Sequence, residues 1–283
     1  MSSVVVTLSC EDRPGIVASV AGFLTDRGFS IRSSQQFGDE ETGLFFMRVH
    51  AATEETVDLT HLRTQFRSIT EPMAMDAAMH DHDEPHRLLV MVSKQGHCLN
   101  DLLHRARTGS LPAQIAAVVS NHDDLRGLVE WHGIPYHHVP VGPKTKAAAE
   151  EELLKLVATY DADTVVLARY MQILSDRLCQ ELRGRAINIH HSLLPSFKGA
   201  RPYFQAHARG VKVVGATAHY VTADLDEGPI IEQEFARVHH SDSVADLTEI
   251  GKDLEALALA RGVSAHAEHR VIINGGKTVV FRR

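Results

Sequence analysis

From residue 87 onwards, short apolar runs alternate with longer amphipathic segments, and this alternation restricts the fold more than any other feature of the chain. Arg87–Val92 and Thr164–Leu167 are typical of fully buried strands, and Thr145–Tyr160 between them is typical of an amphipathic helix. Strands that alternate with helices build a mostly parallel sheet covered on both faces. In such sheets ligands bind at the carboxyl ends of the strands. We therefore predict an α/β domain over residues 87–283, with its site at that edge.

The first eighty residues carry a different order of elements. Apolar residues at helical spacing, starting near Ile16 and near Val57, indicate two helices. Strand patterns fall on four segments: Val4–Ser9, Phe29–Phe37, Leu44–Ala51 and Met73–Met79. The resulting order, βαββαβ, is that of a ferredoxin-like sandwich. Residues 1–80 are predicted to form this small domain, and the polar residues 81–86 are predicted to be the linker to the second one.

Charge and composition exclude several classes of function. The net charge is −7 and no basic stripe with interleaved aromatic residues exists, so a nucleic-acid partner is not expected. No apolar run is long enough to span a membrane. The three cysteines, Cys10, Cys98 and Cys179, are far apart and form no CxxC pair. This favours reduced thiols in a cytoplasmic protein over a disulfide framework, and no metal site is expected.

The predicted strand Ala186–Ile189 carries an amide and an imidazole to its carboxyl end. Residues i and i+2 of a strand point to the same side, so Asn188 and His190 can act on one atom. An amide that donates to a developing oxyanion contributes roughly 10²–10³ in rate. A histidine that transfers a proton contributes roughly 10²–10⁴. From the residues alone, an active site and a pair of strand-end polar groups with structural hydrogen bonds are about equally supported.

Asp226 supplies a third group with a chemical use. A carboxylate beside an imidazole orients the ring and stabilises its cationic form. The surrounding Asp-Glu-Gly-Pro sequence is also typical of an ordinary turn, so spacing alone does not place Asp226 beside His190.

Three motifs in this order resemble the folate-dependent formyltransferases. They are Asn188-Ile189-His190 followed by Ser192-Leu193-Leu194-Pro195, then His219-Tyr220-Val221-Thr222, then Leu225-Asp226 followed by Gly228-Pro229-Ile230-Ile231. The resemblance implies a Rossmann-like formyltransferase domain in which Asn188, His190 and Asp226 are catalytic. It also implies a substrate-binding set, consisting of Tyr170, Met171, Gln172, Ile173, Leu174, His191 and Gly199.

Within this group the chain is similar to the formyltetrahydrofolate deformylases in particular. His191 stands where the transformylases usually carry proline, and the segment from Asp12 to Val17 resembles the first strand–helix junction of an ACT domain. An ACT domain ahead of a formyltransferase domain is the deformylase arrangement. The resemblance implies hydrolysis of 10-formyltetrahydrofolate to formate and tetrahydrofolate. In this reaction His190 and Asp226 activate water, Asn188 stabilises the oxyanion, and the folate is substrate rather than cofactor.

The same resemblance implies regulation and assembly. ACT domains bind small amino acids, and glycine or methionine is the implied effector, near Asp12, Arg13, Gly15, Ile16 and Ser30. Ser30 itself departs from the asparagine that is frequent in ACT domains, and Phe204 replaces an expected histidine. A homo-oligomer, dimer or tetramer, is expected, although a dimerisation module without an effector is equally supported.

Two other functions remain open at this point. The first is formyl transfer to an amine acceptor, and the second is a non-catalytic sensor of amino acids or folate. The segment Ser93–His97 bears on the first, because the matching loop of the ribonucleotide transformylase holds a substrate phosphate. In this chain the loop has a single glycine and carries the larger side chains of Lys94 and His97. This is typical of a loop that no longer binds the phosphate of an acceptor substrate.

Overall fold

The computed structural model describes residues 2–196 and 202–283, and the chain divides into two compact units. Unit 1 comprises the residues through Pro85 together with Glu268–Asn274 and Thr278–Arg283, and unit 2 comprises His86–Ala267 and Gly275–Lys277. The division differs from the predicted domain ranges at the C-terminus, where two segments assigned to the second domain belong to unit 1. The guanidinium of Arg48 holds the first of them by donating to the backbone carbonyls of Glu268 and His269.

Unit 1 contains the predicted βαββαβ order. Its elements are β1 (Ser2–Glu11), α1 (Ile16–Thr25), β2 (Ser30–Asp39), β3 (Leu44–Thr53), α2 (Leu59–Thr70) and β4 (Asp76–Asp81). The strands pair in the antiparallel order β2-β3-β1-β4. Val4, Val6 and Leu8 alternate along β1 and are buried in one core with Phe23 and Phe66 of the helices. The ferredoxin-like prediction is confirmed.

Unit 2 contains a seven-stranded sheet covered by helices. Its elements are β5 (His86–Val92), α3 (His97–Thr108), β6 (Ala113–Ser120), α4 (Arg126–Trp131), β7 (Tyr136–His138), α5 (Lys146–Thr159), β8 (Thr164–Leu167), α6 (Asp176–Glu181), β9 (Ala186–His190), α7 (Pro202–Arg209), β10 (Val213–Tyr220), β11 (Ile230–Arg237) and α8 (Val244–Ala267). The strand order is β11-β10-β9-β8-β5-β6-β7, parallel from β9 to β7 and antiparallel at β10 and β11. The predicted mostly parallel α/β fold is confirmed.

The structure adds helices that the sequence patterns do not indicate. α6 and α7 are six and eight residues long, which is too short for a helical period to be recognised. The sequence pattern predicts a helix over Ser241–Arg261. α8 continues beyond it to Ala267, because Val263 and Ala265 are buried on a stretch that lacks a polar face. The turn sequence Asn274-Gly275-Gly276-Lys277 between two apolar runs predicts a closing hairpin, and β12 (Val271–Asn274) and β13 (Lys277–Val280) form it. Among the described residues, no helix has the length and apolar character that a membrane span requires.

Candidate active site

The change from parallel to antiparallel pairing at β9 brings two histidine-bearing strands together. In the β9–β10 ladder, His219 lies opposite Asn188 and Thr217 lies opposite His190. Directly opposed residues of an antiparallel pair share a face of the sheet. Asn188, His190 and His219 therefore project to one side of unit 2, at the carboxyl end of β9.

His219 orients the amide of Asn188. The Nδ1 atom of His219 lies 2.9 Å from the carbonyl oxygen of Tyr220, and its Nε2 lies 3.1 Å from Nδ2 of Asn188. Burial lowers the pKa of His219, so the ring is neutral at pH 7. With its single proton on Nδ1, Nε2 accepts from the Asn188 amide. The other amide hydrogen of Asn188 is left to donate to a ligand.

The loop after β10 brings Asp226 to His190. Asp226 has a φ of +58°, a left-handed conformation that aspartate tolerates better than most residues. Gly228 lies so close to β10 that a Cβ atom there would be 1.7 Å from the carbonyl oxygen of Tyr220. Only glycine permits this approach, which sets the position of the loop. As a result, Oδ1 of Asp226 lies 3.2 Å from Nδ1 of His190.

This contact determines the charge of the carboxylate and the tautomer of the ring. The hydrogen bond from His190 lowers the pKa of Asp226 below its usual value, against the opposing effect of burial. An ionised Asp226 keeps a proton on Nδ1 of His190, which leaves Nε2 as the nitrogen that can accept one. Nε2 is buried and has no hydrogen-bond partner within the described part of the chain. In the His190–Asp226 pair, Nε2 of His190 is therefore free of hydrogen bonds to the described protein residues and can accept a proton from a bound water molecule.

A cavity of about 520 Å³ opens beside these groups. Asn188, His190 and Asp226 line it on one side. The predicted substrate-binding segment forms another part of its wall, with Tyr170, Met171, Gln172, Ile173 and Leu174 all present. Met171 and Ile173 are more than half exposed, so their apolar surface is available to a ligand. An apolar wall with a few converging polar groups is the usual form of a small-molecule site.

A charged cluster lies at the same cavity and was not predicted. Glu255 of α8 is 1% exposed and accepts hydrogen bonds from Nε2 of His97 and from the hydroxyl of Tyr203, at 2.7 and 2.6 Å. Nε of Arg169 lies 3.4 Å from the same carboxylate. Burial alone would raise the pKa of Glu255, but the donors from His97, Arg169 and Tyr203 lower it, and the carboxylate is ionised.

The cluster also contains the one set of residues, within the described chain, whose spacing suits a metal ion. The ligand atoms of His97, Cys98 and Glu255 lie within 4.8 Å of one another. The guanidinium of Arg169 beside Glu255 opposes a second cation there, and burial raises the pKa of the Cys98 thiol, which keeps it protonated. The arrangement is better suited to a hydrogen-bonded ion network than to a metal centre, and the metal-free site remains a prediction.

His191 connects the cluster to the base. Its ring stacks against that of His190, with the centroids 5.0 Å apart, and lies 6.5 Å from the ring of Tyr203. Burial, reinforced by the positive charge of Arg169, lowers the pKa of His191 to about 4. His191 is therefore neutral at pH 7 and carries no positive charge that could bind an anionic ligand.

Comparison with known proteins agrees with this arrangement. Residues 86–263 match the formyl transferase family model and residues 4–60 match the ACT domain model. The chain is 48% identical to a formyltetrahydrofolate deformylase from Corynebacterium sp. (strain P-1), with 98% of each chain covered. A crystal structure of a formyltetrahydrofolate deformylase from Pseudomonas syringae pv. tomato superposes with a TM-score of 0.96 at 49% identity, covering 100% of this chain and 95% of that one. The chain belongs to the formyltetrahydrofolate deformylase family.

The transformylases are more distant from this family member. A glycinamide ribonucleotide transformylase from Symbiobacterium toebii has a TM-score of 0.66 at 32% identity and covers 72% of this chain. The deformylase structure from Pseudomonas matches the full length, including unit 1, whereas the transformylase covers a shorter part. The resemblance to the deformylases inferred from His191 and the ACT-like segment is thereby confirmed.

Most of the predicted site residues of this deformylase family member lie at one cavity. The lining includes His191 in addition to the catalytic set and the segment from Tyr170 to Leu174. Gly199 lies outside the described residues. Arg169, the first residue of the segment that the resemblance places at the pocket, also lines the cavity. The lining further includes His219, Tyr203 and Glu255, to which the sequence assigned no role. His219 stands in one of the three motifs, whereas Glu255 is recognisable only as a charged residue on an otherwise apolar face of α8.

Proposed function

We propose that the protein hydrolyses 10-formyltetrahydrofolate to formate and tetrahydrofolate. The observation that carries this proposal is the pairing of His190 Nδ1 with Asp226 at 3.2 Å, which leaves a buried Nε2 facing no protein acceptor or donor among the described residues. Asn188 lies on the same strand face, and the adjoining cavity has an apolar wall suited to a pterin ring. Relatives named formyltetrahydrofolate deformylase align over nearly the whole chain.

In the proposed mechanism, water attacks the formyl carbon while Nε2 of His190 takes one of its protons. The charge of Asp226 stabilises the imidazolium that results. The carbonyl oxygen becomes an oxyanion and accepts a hydrogen bond from the free amide hydrogen of Asn188. The imidazolium then donates its proton to N10, the C–N10 bond breaks, and formate and tetrahydrofolate are released. No cofactor is needed beyond the folate substrate.

Formate release without an amine acceptor tests the function directly. We expect purified protein to convert 10-formyltetrahydrofolate to equal amounts of formate and tetrahydrofolate in amine-free buffer, because water is the only nucleophile that the mechanism needs. Formate is measured with a coupled dehydrogenase and tetrahydrofolate by absorbance. Formate that appears only after an amine is added would identify a formyltransferase instead. Folate binding without any turnover would identify a sensor.

We also propose that unit 1 binds glycine or methionine as an effector and that the protein is a homo-oligomer, dimer or tetramer. The match to the ACT domain model supports an amino-acid ligand. Asp12, Arg13, Gly15 and Ser30 are exposed in unit 1 and available to a ligand, whereas Ile16 is 2% exposed and belongs to the core. A cytoplasmic location stays a prediction from the sequence.

The effector proposal predicts that one of the two amino acids changes the rate of formate release at a fixed folate concentration. Arg13→Ala removes an exposed charge from the first strand–helix junction and is expected to weaken the response without changing the basal rate. The measurement is a titration of the rate with glycine and with methionine, with Arg67→Ala on α2 as the control for loss of an exposed charge elsewhere in unit 1. A flat response to both amino acids would leave unit 1 as an assembly module.

A further inference from the structure

The buried cluster formed by His97, Arg169, Tyr203 and Glu255 is more elaborate than hydrolysis by His190 and Asp226 requires. Its centre, Glu255, is 1% exposed and has three donors around it. A buried charge is retained only when it is paired and hydrogen-bonded, so the three donors together stabilise the ionised carboxylate and stay close to it. The cluster is therefore held in one arrangement.

Arg169 is the most constrained member of the cluster. Its Nε and Nη2 both donate to Oε1 of Gln95, at 3.0 and 2.7 Å, and its carbonyl oxygen accepts from the backbone of Ser93. The residue has a φ of +64°, a conformation that is unfavourable for an arginine. Its Nη1 is buried and finds no acceptor within residues 2–196 and 202–283. Strain and an unsatisfied donor together indicate that this side chain is held in place for a reason other than stability.

Tyr203 closes the cluster from the opposite direction. Its ring packs onto α8 at Gly251, where a Cβ atom would lie 2.1 Å from the ring carbon and the hydroxyl. Only glycine at that position allows Tyr203 to reach Glu255. Arg169, Tyr203 and Glu255 all line the cavity that contains His190, and His191 stacks on His190 between the base and Tyr203. Three of the four cluster residues thus form part of the wall of the cavity that contains the base, and His97 supports them through Glu255.

From these contacts we propose that the cluster is a filter for the nucleophile: it fills the volume that an amine acceptor would need beside His190, so that only water reaches the formyl carbon. The inference rests on the proposed hydrolase function and adds its specificity determinants. An amine must bring a carbon substituent together with its nitrogen, whereas water needs room for a single heavy atom. Because every member of the cluster is tied to a buried charge, the filter cannot open by a simple change of rotamer.

Loss of the filter changes the products in a defined way. An amine that enters forms a bond from its nitrogen to the formyl carbon, and the C–N10 bond breaks. The amine proton goes to His190 and from there to N10. The products are then tetrahydrofolate and an N-formyl amine in place of formate. Total tetrahydrofolate counts all turnovers, and the ratio of N-formyl amine to formate measures which nucleophile was used.

Arg169→Gly is the first test, because glycine adopts the φ of position 169 without strain and the variant is expected to fold. We expect the share of N-formylglycinamide, with glycinamide as the added amine, to rise at least about tenfold over that of the wild-type protein, the size of effect that small changes in a pocket produce. Products are separated and quantified by mass spectrometry against an enzyme-free blank. An unchanged product ratio in a folded Arg169→Gly protein that still turns over would overturn the proposal.

Two substitutions of Tyr203 distinguish the effect of its volume from the effect of its hydrogen bond to Glu255. Tyr203→Ala empties part of the cluster and is expected to raise the N-formylglycinamide share, whereas Tyr203→Phe keeps the ring and is expected to leave the share at the wild-type level. Equal shares in the two variants would contradict a filter that acts by filling space. Tyr160→Ala, at a tyrosine outside this cavity, controls for general loosening of unit 2. A wild-type protein that releases no formate at all refutes the hydrolase function itself, which keeps the two failures distinct.

Discussion

Asp226→Asn lowers the kcat for formate release by about 10³–10⁴-fold while the protein stays folded, the size of loss expected when a carboxylate that orients a catalytic histidine is replaced by its amide. The asparagine amide donates to Nδ1 of His190 in place of accepting from it. The ring then carries its proton on Nε2, where it cannot take one from water. The substitution keeps the size of the side chain, so the effect is one of charge and tautomer.

The measurement is kcat at saturating 10-formyltetrahydrofolate, with circular dichroism as the test of folding. Asp224→Asn is the matched control, because Asp224 lies in the same loop, is exposed, and is not among the residues that line the cavity. We expect the control to keep wild-type activity. A folded Asp226→Asn protein with near-normal kcat would remove Asp226 from the mechanism.

The loss in Asp226→Asn should persist across the neutral pH range. The hydrogen bond from His190 lowers the pKa of Asp226, so its carboxylate is ionised well below pH 7. A group with a depressed pKa loses its charge only as the pH falls through that lowered value, and it contributes fully above the unperturbed one. The contribution of the Asp226 charge to the wild-type rate is therefore expected to be lost only in buffer acidic enough to protonate this carboxylate, and rate profiles of the two proteins at acidic pH measure that loss.

His190→Asn removes the base itself and lowers kcat by roughly 10²–10⁴-fold. His190 is 5% exposed, and among the described residues its Nε2 has no hydrogen-bonded partner that could relay the proton in its place. The affinity for tetrahydrofolate should change little, since the apolar wall from Tyr170 to Leu174 carries the ring contacts in the proposed complex. The experiment measures kcat together with the Kd for tetrahydrofolate by fluorescence.

His104→Asn serves as the control for His190→Asn, because His104 is an exposed residue on α3 and is not among the residues that line the cavity. We expect it to leave both quantities unchanged. A His190→Asn protein that loses tetrahydrofolate binding in parallel with kcat would indicate a structural role for His190 rather than proton transfer.

Local patterns determine most of the fold of this protein. The alternation of apolar residues in β1 and the continuous apolar runs of β5 and β8 are properties of neighbouring residues, and they led to the correct sandwich and the correct mostly parallel sheet. Short helices such as α6 carry too few residues for a period, and the end of α8 lacks a polar face. The sequence did not predict α6 or the end of α8, because the periodic pattern of apolar residues is weak in both segments although both are helical in the structure.

In the candidate active site, too, only the features that depend on neighbouring residues could be predicted from the sequence. The sequence by itself determined that Asn188 and His190 share one side of β9, because a period of two is a local property of a strand. Only the tertiary structure decided that His219 lies opposite Asn188, since the register of an antiparallel pair depends on both strands. It also decided that the loop held by Gly228 brings Asp226 to His190, and that Glu255 of α8 gathers a buried cluster at the same cavity. These contacts join residues distant in the chain, and their geometry comes from packing that no local pattern records.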